Sequence, residues 1–145
     1  MWIFSIYGFY SVAAGEKNQL MVRSRMRQHL EALQRRFPKQ LGNGKIVESR
    51  TNDYKFRLVV GRKAWESVVV ELAKEQTWSN FKGQVAKNKD HMASGYEDAL
   101  HRVWAIMHGL QYQPPQPPRP TNRVIYPGYD VFGQPELDGA DDLRR

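Results

Sequence analysis

Apolar and polar positions along the chain follow two different periods, and the switches between them predict its elements. Residues 2–7 are apolar and aromatic, as in a buried strand, and Gly8 interrupts them before a second strand over 9–14. Gly15-Glu16-Lys17-Asn18 reads as a hairpin turn. The returning strand, 20–25, puts Leu20 and Val22 on one face and Arg23 and Arg25 on the other. From Arg27 the spacing becomes three and four, with Leu30, Leu33 and Phe37 on the inner face of a helix that Pro38 ends. A loop over 41–45 leads to a short strand at 46–50. Asn52-Asp53 starts a turn, and 54–60 shows the clearest alternation of all. There Tyr54, Phe56, Leu58 and Val60 share one side, while Lys55 and Arg57 share the other.

Helical spacing then returns. Lys63–Glu75 is predicted as a helix with Trp65, Val68, Val69 and Leu72 inward. A short helical turn follows over 80–85, then a polar stretch over 87–91. Ser94 or Gly95 caps a last helix, 96–110, whose apolar stripe is Leu100, Val103, Trp104 and Met107. Trp2, Trp65, Trp78 and Trp104 all lie beside other apolar residues and are expected in the core. Short hairpin links predict an α+β domain of two layers, an antiparallel sheet with helices packed on one face. Two helices after the last strand argue against a parallel, doubly wound sheet.

The pattern breaks after Tyr112. Seven of the eight prolines (114, 115, 117, 118, 120, 127 and 135) lie beyond it, and Pro38 is the only earlier one. Residues 1–112 therefore read as the folded domain and 113–145 as an extended, proline-rich arm. Residues 114–120 favour a stiff polyproline spacer. After it, Ile125, Tyr126, Tyr129, Val131, Phe132 and Leu137 make the arm too apolar for a purely solvating tail. Tyr126, Tyr129 and Phe132 are its candidate anchors for a protein partner.

Charge divides along the same line. Residues 1–112 hold 18 Lys and Arg against 10 Asp and Glu, whereas the arm holds 4 against 5, within a net +7 for the chain. A basic domain favours anionic partners such as nucleic acid, although mild basicity also serves solubility alone. Arg23, Arg25, Lys55 and Arg57 are the candidates for a basic sheet face that engages single strands. The plainer alternative is a solvated face whose cations blunt sheet edges. Cysteine is absent, which excludes disulfides, thiolate metal sites and a cysteine nucleophile, and fits a reducing cytoplasm. The N-terminal run has no basic flank and suits strands better than a signal peptide. No run of apolar residues is long enough to span a bilayer.

Catalytic chemistry finds little support. Asp53, Glu66, Asp90, Glu97 and Asp98 fall in no recognisable motif, and Asp53 is placed to serve a turn. His101 and His108 are seven apart, and an HExxH arrangement is missing. Asp98 and His101 with His91 come nearest to a metal site, but solvated or partly buried histidines are the plainer reading. Gly42-Asn43-Gly44-Lys45 lacks the ending of a phosphate-binding loop, and Gly61-Arg62-Lys63 reads as the close of a strand. No catalytic set, metal or cofactor is expected.

Several segments resemble a family of small bacterial proteins of unknown function that begin with a tryptophan-containing strand. They are Met1-Trp-Ile-Phe, Gly8-Phe-Tyr-Ser-Val, Val22-Arg-Ser-Arg, Asp53-Tyr-Lys-Phe-Arg, Asn80-Phe-Lys, and Tyr96 leading to Val103-Trp104. The resemblance covers roughly residues 1–110 and none of the arm, and it implies one compact domain without bringing a site. The function expected is that of a non-enzymatic adaptor that contacts another protein through its arm; the alternatives are a nucleic-acid-binding accessory protein using the basic sheet face, and an uncharacterised hydrolase.

Overall fold

The computed structural model describes residues 1–88 and 94–112. Met1–Met107 form one compact unit, and of the unit that follows, His108–Tyr112 are described. The first unit is an antiparallel α+β fold. Its strands are β1 (Trp2–Ser5), β2 (Gly8–Ala14), β3 (Gln19–Ser24), β4 (Val47–Glu48) and β5 (Phe56–Gly61). The helices are α1 (Arg27–Arg36), α2 (Pro38–Leu41), α3 (Arg62–Lys74), α4 (Phe81–Ala86) and α5 (Tyr96–Gly109), whose last two residues belong to the unit that follows. All five strands join one sheet in the order β1-β2-β3-β5-β4, with every neighbouring pair antiparallel.

Alternation along β2, β3 and β5 sends Tyr10, Val12, Leu20, Val22, Leu58 and Val60 to one face of the sheet. There they meet Leu30 and Leu33 of α1, Phe37, Leu41 of α2, and Trp65 and Val68 of α3, all buried. α1, α2 and α3 thus cover that face. A smaller cluster joins Val85 of α4 with Tyr96 and Leu100 of α5, and packs on Phe4, Ile6, Phe9 and Phe81. It sits over the β1–β2 end, where Phe4 and Phe9 project from the other face.

Several boundaries differ from the periodic reading. Residues 2–7 are not one strand: β1 stops at Ser5, and Ile6-Tyr7 form a two-residue hairpin turn closed by the Ser5–Gly8 pair. Gly8 is required there. Its φ is +141°, and a Cβ on it would come within 2.3 Å of His29 Cγ. In the β2–β3 turn Lys17 and Asn18 both take positive φ, which suits the right-handed twist of a hairpin. Pro38 does more than end α1: it opens α2, because its missing N–H and fixed φ fit a first helical position. Asn80 caps α4 by accepting the Gly83 N–H at 3.2 Å.

Two expectations for the tryptophans are overturned. Trp65 is buried, but Trp2 is 68% exposed and Trp104 54% exposed, and Trp78 is only partly covered. Trp2 stands on edge strand β1, with no neighbour on its outer side among the described strands. α5 loses its cover beyond Leu100, so Val103, Trp104 and Met107 are exposed instead of core.

Candidate nucleic-acid interface

The sheet face opposite α1–α3 carries the cations, and cross-strand register decides which of them meet. Trp2 pairs with Ser11, Ser11 with Arg23, Arg23 with Arg57, and Arg57 with Val47. These five residues form one row across all five strands, each strand ~4.8 Å from the next. An exposed indole stands at the β1 end of the row, and two arginines are direct cross-strand partners in its middle. Arg23 donates from Nη2 to Ser11 Oγ at 2.9 Å, and its Nε has no acceptor among the described residues. Arg57 lies 3.9 Å from Met21 Sδ through Nη1 and donates weakly to the Tyr54 carbonyl at 3.5 Å.

Tyr54 is the organising side chain. The alternation predicted for 54–60 places its ring with the core, yet the β5 ladder begins only at Phe56. Before that point the chain bends through Asn52-Asp53, and Asp53 Oδ1 accepts the Tyr54 N–H at 2.8 Å. Freed from the ladder, Tyr54 turns to the opposite face. Its ring lies 6.3 Å from that of Phe9, with the Arg23 and Arg25 guanidinium carbons each 4.8 Å from its centroid. Arg25 is exposed and also donates to the Asp53 carbonyl at 3.0 Å. A guanidinium over an aromatic face stays held without losing its outward N–H donors. The aromatic file continues from Phe9 to Phe4, stacked at 4.8 Å, and to Trp2, edge-on at 5.6 Å.

Three of the four predicted cations therefore come together, and Lys55 does not. The same slip in period turns Lys55 toward β4, where its Nζ lies 3.1 Å from Glu48 Oε1 and 5.5 Å from the Phe56 ring centroid. Arg23, Arg25 and Arg57 take part in no ion pair among the described residues, whose carboxylate pairs involve Arg27, Arg36, Lys55, Lys74 and His101. Trp2, exposed, and Tyr54, buried beneath the guanidiniums, complete the patch; Trp2 was expected in the core, and alternation put Tyr54 on the opposite face of the sheet. The signal that would have found Tyr54 is the Asn52-Asp53 turn immediately before it.

Other candidates resolve into structural roles. His29 is buried behind Gly8: its Nδ1 accepts the Phe9 N–H at 3.3 Å, and its carbonyl accepts the Tyr10 hydroxyl at 3.0 Å. Tyr7 donates to Glu75 Oε2 at 2.8 Å and accepts from Arg36 Nε at 3.1 Å, and Arg36 pairs with Glu75, so the β1–β2 turn is tied to the ends of α1 and α3. Burial and the Glu75 carboxylate raise the Tyr7 hydroxyl above its ordinary pKa. Burial pushes Tyr10 well above its ordinary value and raises Tyr96, whose hydroxyl donates to the Ser5 carbonyl at 3.0 Å. His101 lies between Glu97, 3.8 Å away, and Lys82, 3.4 Å away, while His91 is outside the described residues. No three His, Asp or Glu side chains among the described residues converge as metal ligands. Tyr126, Tyr129 and Phe132 also lie outside the described residues. No helix among those described is long and apolar enough to cross a membrane. No family model, curated protein or solved structure matches the chain.

Proposed function

We propose that this protein is a binding module that takes single-stranded nucleic acid on the part of its sheet face that α4 and α5 leave uncovered. One observation carries the reading: Arg23 and Arg57 oppose each other in register, and neither pairs with a carboxylate among the described residues. Like charges directly opposite on neighbouring strands destabilise a sheet, so such a pair is costly until an anion bridges it. The phosphodiester backbone is the anion that fits a row of this kind. In the proposed complex Arg23, Arg25 and Arg57 hold phosphates, while exposed Trp2 at the end of the row offers a stacking surface for a base. Bound duplex is disfavoured, because a flat sheet reaches splayed bases and not those stacked inside a helix. A protein partner engaged through Tyr126, Tyr129 and Phe132 is a compatible second role, carried by the aromatic composition of the arm alone.

Fluorescence anisotropy with a labelled single-stranded RNA or DNA, at two salt concentrations, tests the reading. Arg23→Gln with Arg57→Gln should weaken binding by at least ~10-fold and lower the salt slope by about 2. Lys55→Gln, already paired with Glu48, should change little. Absence of binding by the wild-type chain near 50 mM salt would remove the nucleic-acid reading.

A further inference from the structure

We infer that α5 is the seam of a homodimer, in which this helix packs antiparallel against its copy in a second chain. The helix is divided cleanly along its length. At 100° per residue Val103, Ile106 and Met107 fall within one arc, which also holds Ala99, while Glu97, Asp98 and His101 occupy the opposite half and Arg102 borders the arc beside Ile106. The apolar arc is buried only at its start, through Tyr96 and Leu100. Past Leu100 it is open: Ile106 is 69% exposed and Met107 58%, with Val103 at the margin. Trp104 flanks the arc, covered on its other side by Lys82, whose Nζ lies 4.6 Å from the ring centroid.

A second copy fits this arc better than an anionic membrane surface does. A two-fold contact brings a patch against itself, so it needs a seam without charge, and Val103, Ile106 and Met107 supply one. With Trp104 at their flank, Val103, Ile106 and Met107 expose on the order of several hundred Å² per chain, a size at which apolar patches mark interfaces. Doubled across a two-fold axis, and joined by neighbouring rim contacts, that approaches the ~1,000 Å² a stable dimer needs. Antiparallel packing also keeps the acidic first turns, Glu97-Asp98, of the two copies apart and aligns their helix dipoles favourably. An anionic bilayer is a poorer match, because Glu97 and Asp98 on the polar half outnumber Arg102.

The full chain has no cysteine, which makes the test direct. Sedimentation should show the wild type as a dimer at micromolar concentration. Ile106→Glu with Met107→Glu should give a monomer of 16.9 kDa, its dissociation constant raised at least ~30-fold, with an unchanged circular dichroism spectrum. Ile106→Cys, which keeps the position apolar, should form a disulfide-linked dimer on mild oxidation. A wild type that stays monomeric at 100 μM, a glutamate variant that stays dimeric, or a cysteine variant that does not crosslink would each overturn the proposal. Binding of the monomeric wild type to anionic vesicles would assign the arc to a membrane surface instead.

Discussion

Arg23 and Arg57 show how a single register position links stability to binding. Their opposition costs the sheet ~0.2–1 kcal/mol, so Arg57→Gln should leave the melting temperature unchanged or raise it slightly. A stability gain alongside a binding loss is the signature of a functional site, and a drop in melting temperature would mark Arg57 as structural. Gly8 is the opposite kind of residue. Gly8→Ala combines a left-handed φ with a Cβ inside His29, and should lower stability by ~3 kcal/mol or more in denaturant unfolding. His29→Ala should restore part of that loss by emptying the space. The buried tyrosines set the alkaline limit. Tyr10 and Tyr96 ionise less readily when folded than unfolded, so their contribution is complete below their unfolded pKa of ~10 and fades as pH rises through the folded values. Melting temperature should therefore hold up to about pH 10 and fall beyond it. Tyr96→Phe should flatten that fall, and an identical slope would show that Tyr96 does not contribute to it.

Among the elements, those with a sustained period were legible and those set by a local break were not. β3 follows its alternation through all of Gln19–Ser24, so Leu20 and Val22 lie inward and Arg23 outward as the pattern requires. β5 follows it from Phe56 onward, but Tyr54 and Lys55 precede the ladder, and both exchange faces there. The candidate site was thus half visible: Arg23, Arg25 and Arg57 followed from pattern, while Tyr54 depended on a turn that periodicity does not encode. β1 shows the same limit, since an apolar run of six residues gives no sign that Ile6-Tyr7 turn back. α5 shows a different one. Its amphipathic stripe was correctly located, but a stripe states only that a face favours burial, not what buries it. Leu100 meets the domain's own core, and Ile106, nearly two turns further on, extends beyond it.

At the scale of the molecule, a helix-covered sheet face leaves the opposite face open wherever α4 and α5 do not reach. That open face holds Arg23, Arg25 and Arg57, three of the 18 Lys and Arg in residues 1–112, and a dimer through α5 would present two such faces. Binding should then weaken steeply with salt, and two linked faces should hold a long single strand more tightly than a short one. The most direct measurement is an NMR titration of the ¹⁵N-labelled full chain with a short single-stranded oligonucleotide. It would follow the four tryptophan indole N–H signals and the arginine Nε–H signals, with Trp2 assigned through Trp2→Phe. The expected result is a shift or loss of the Trp2, Arg23 and Arg57 signals, with that of buried Trp65 unmoved. Shifts confined to α5 and the residues after it, or no shift at all at low salt, would contradict a nucleic-acid interface on the sheet.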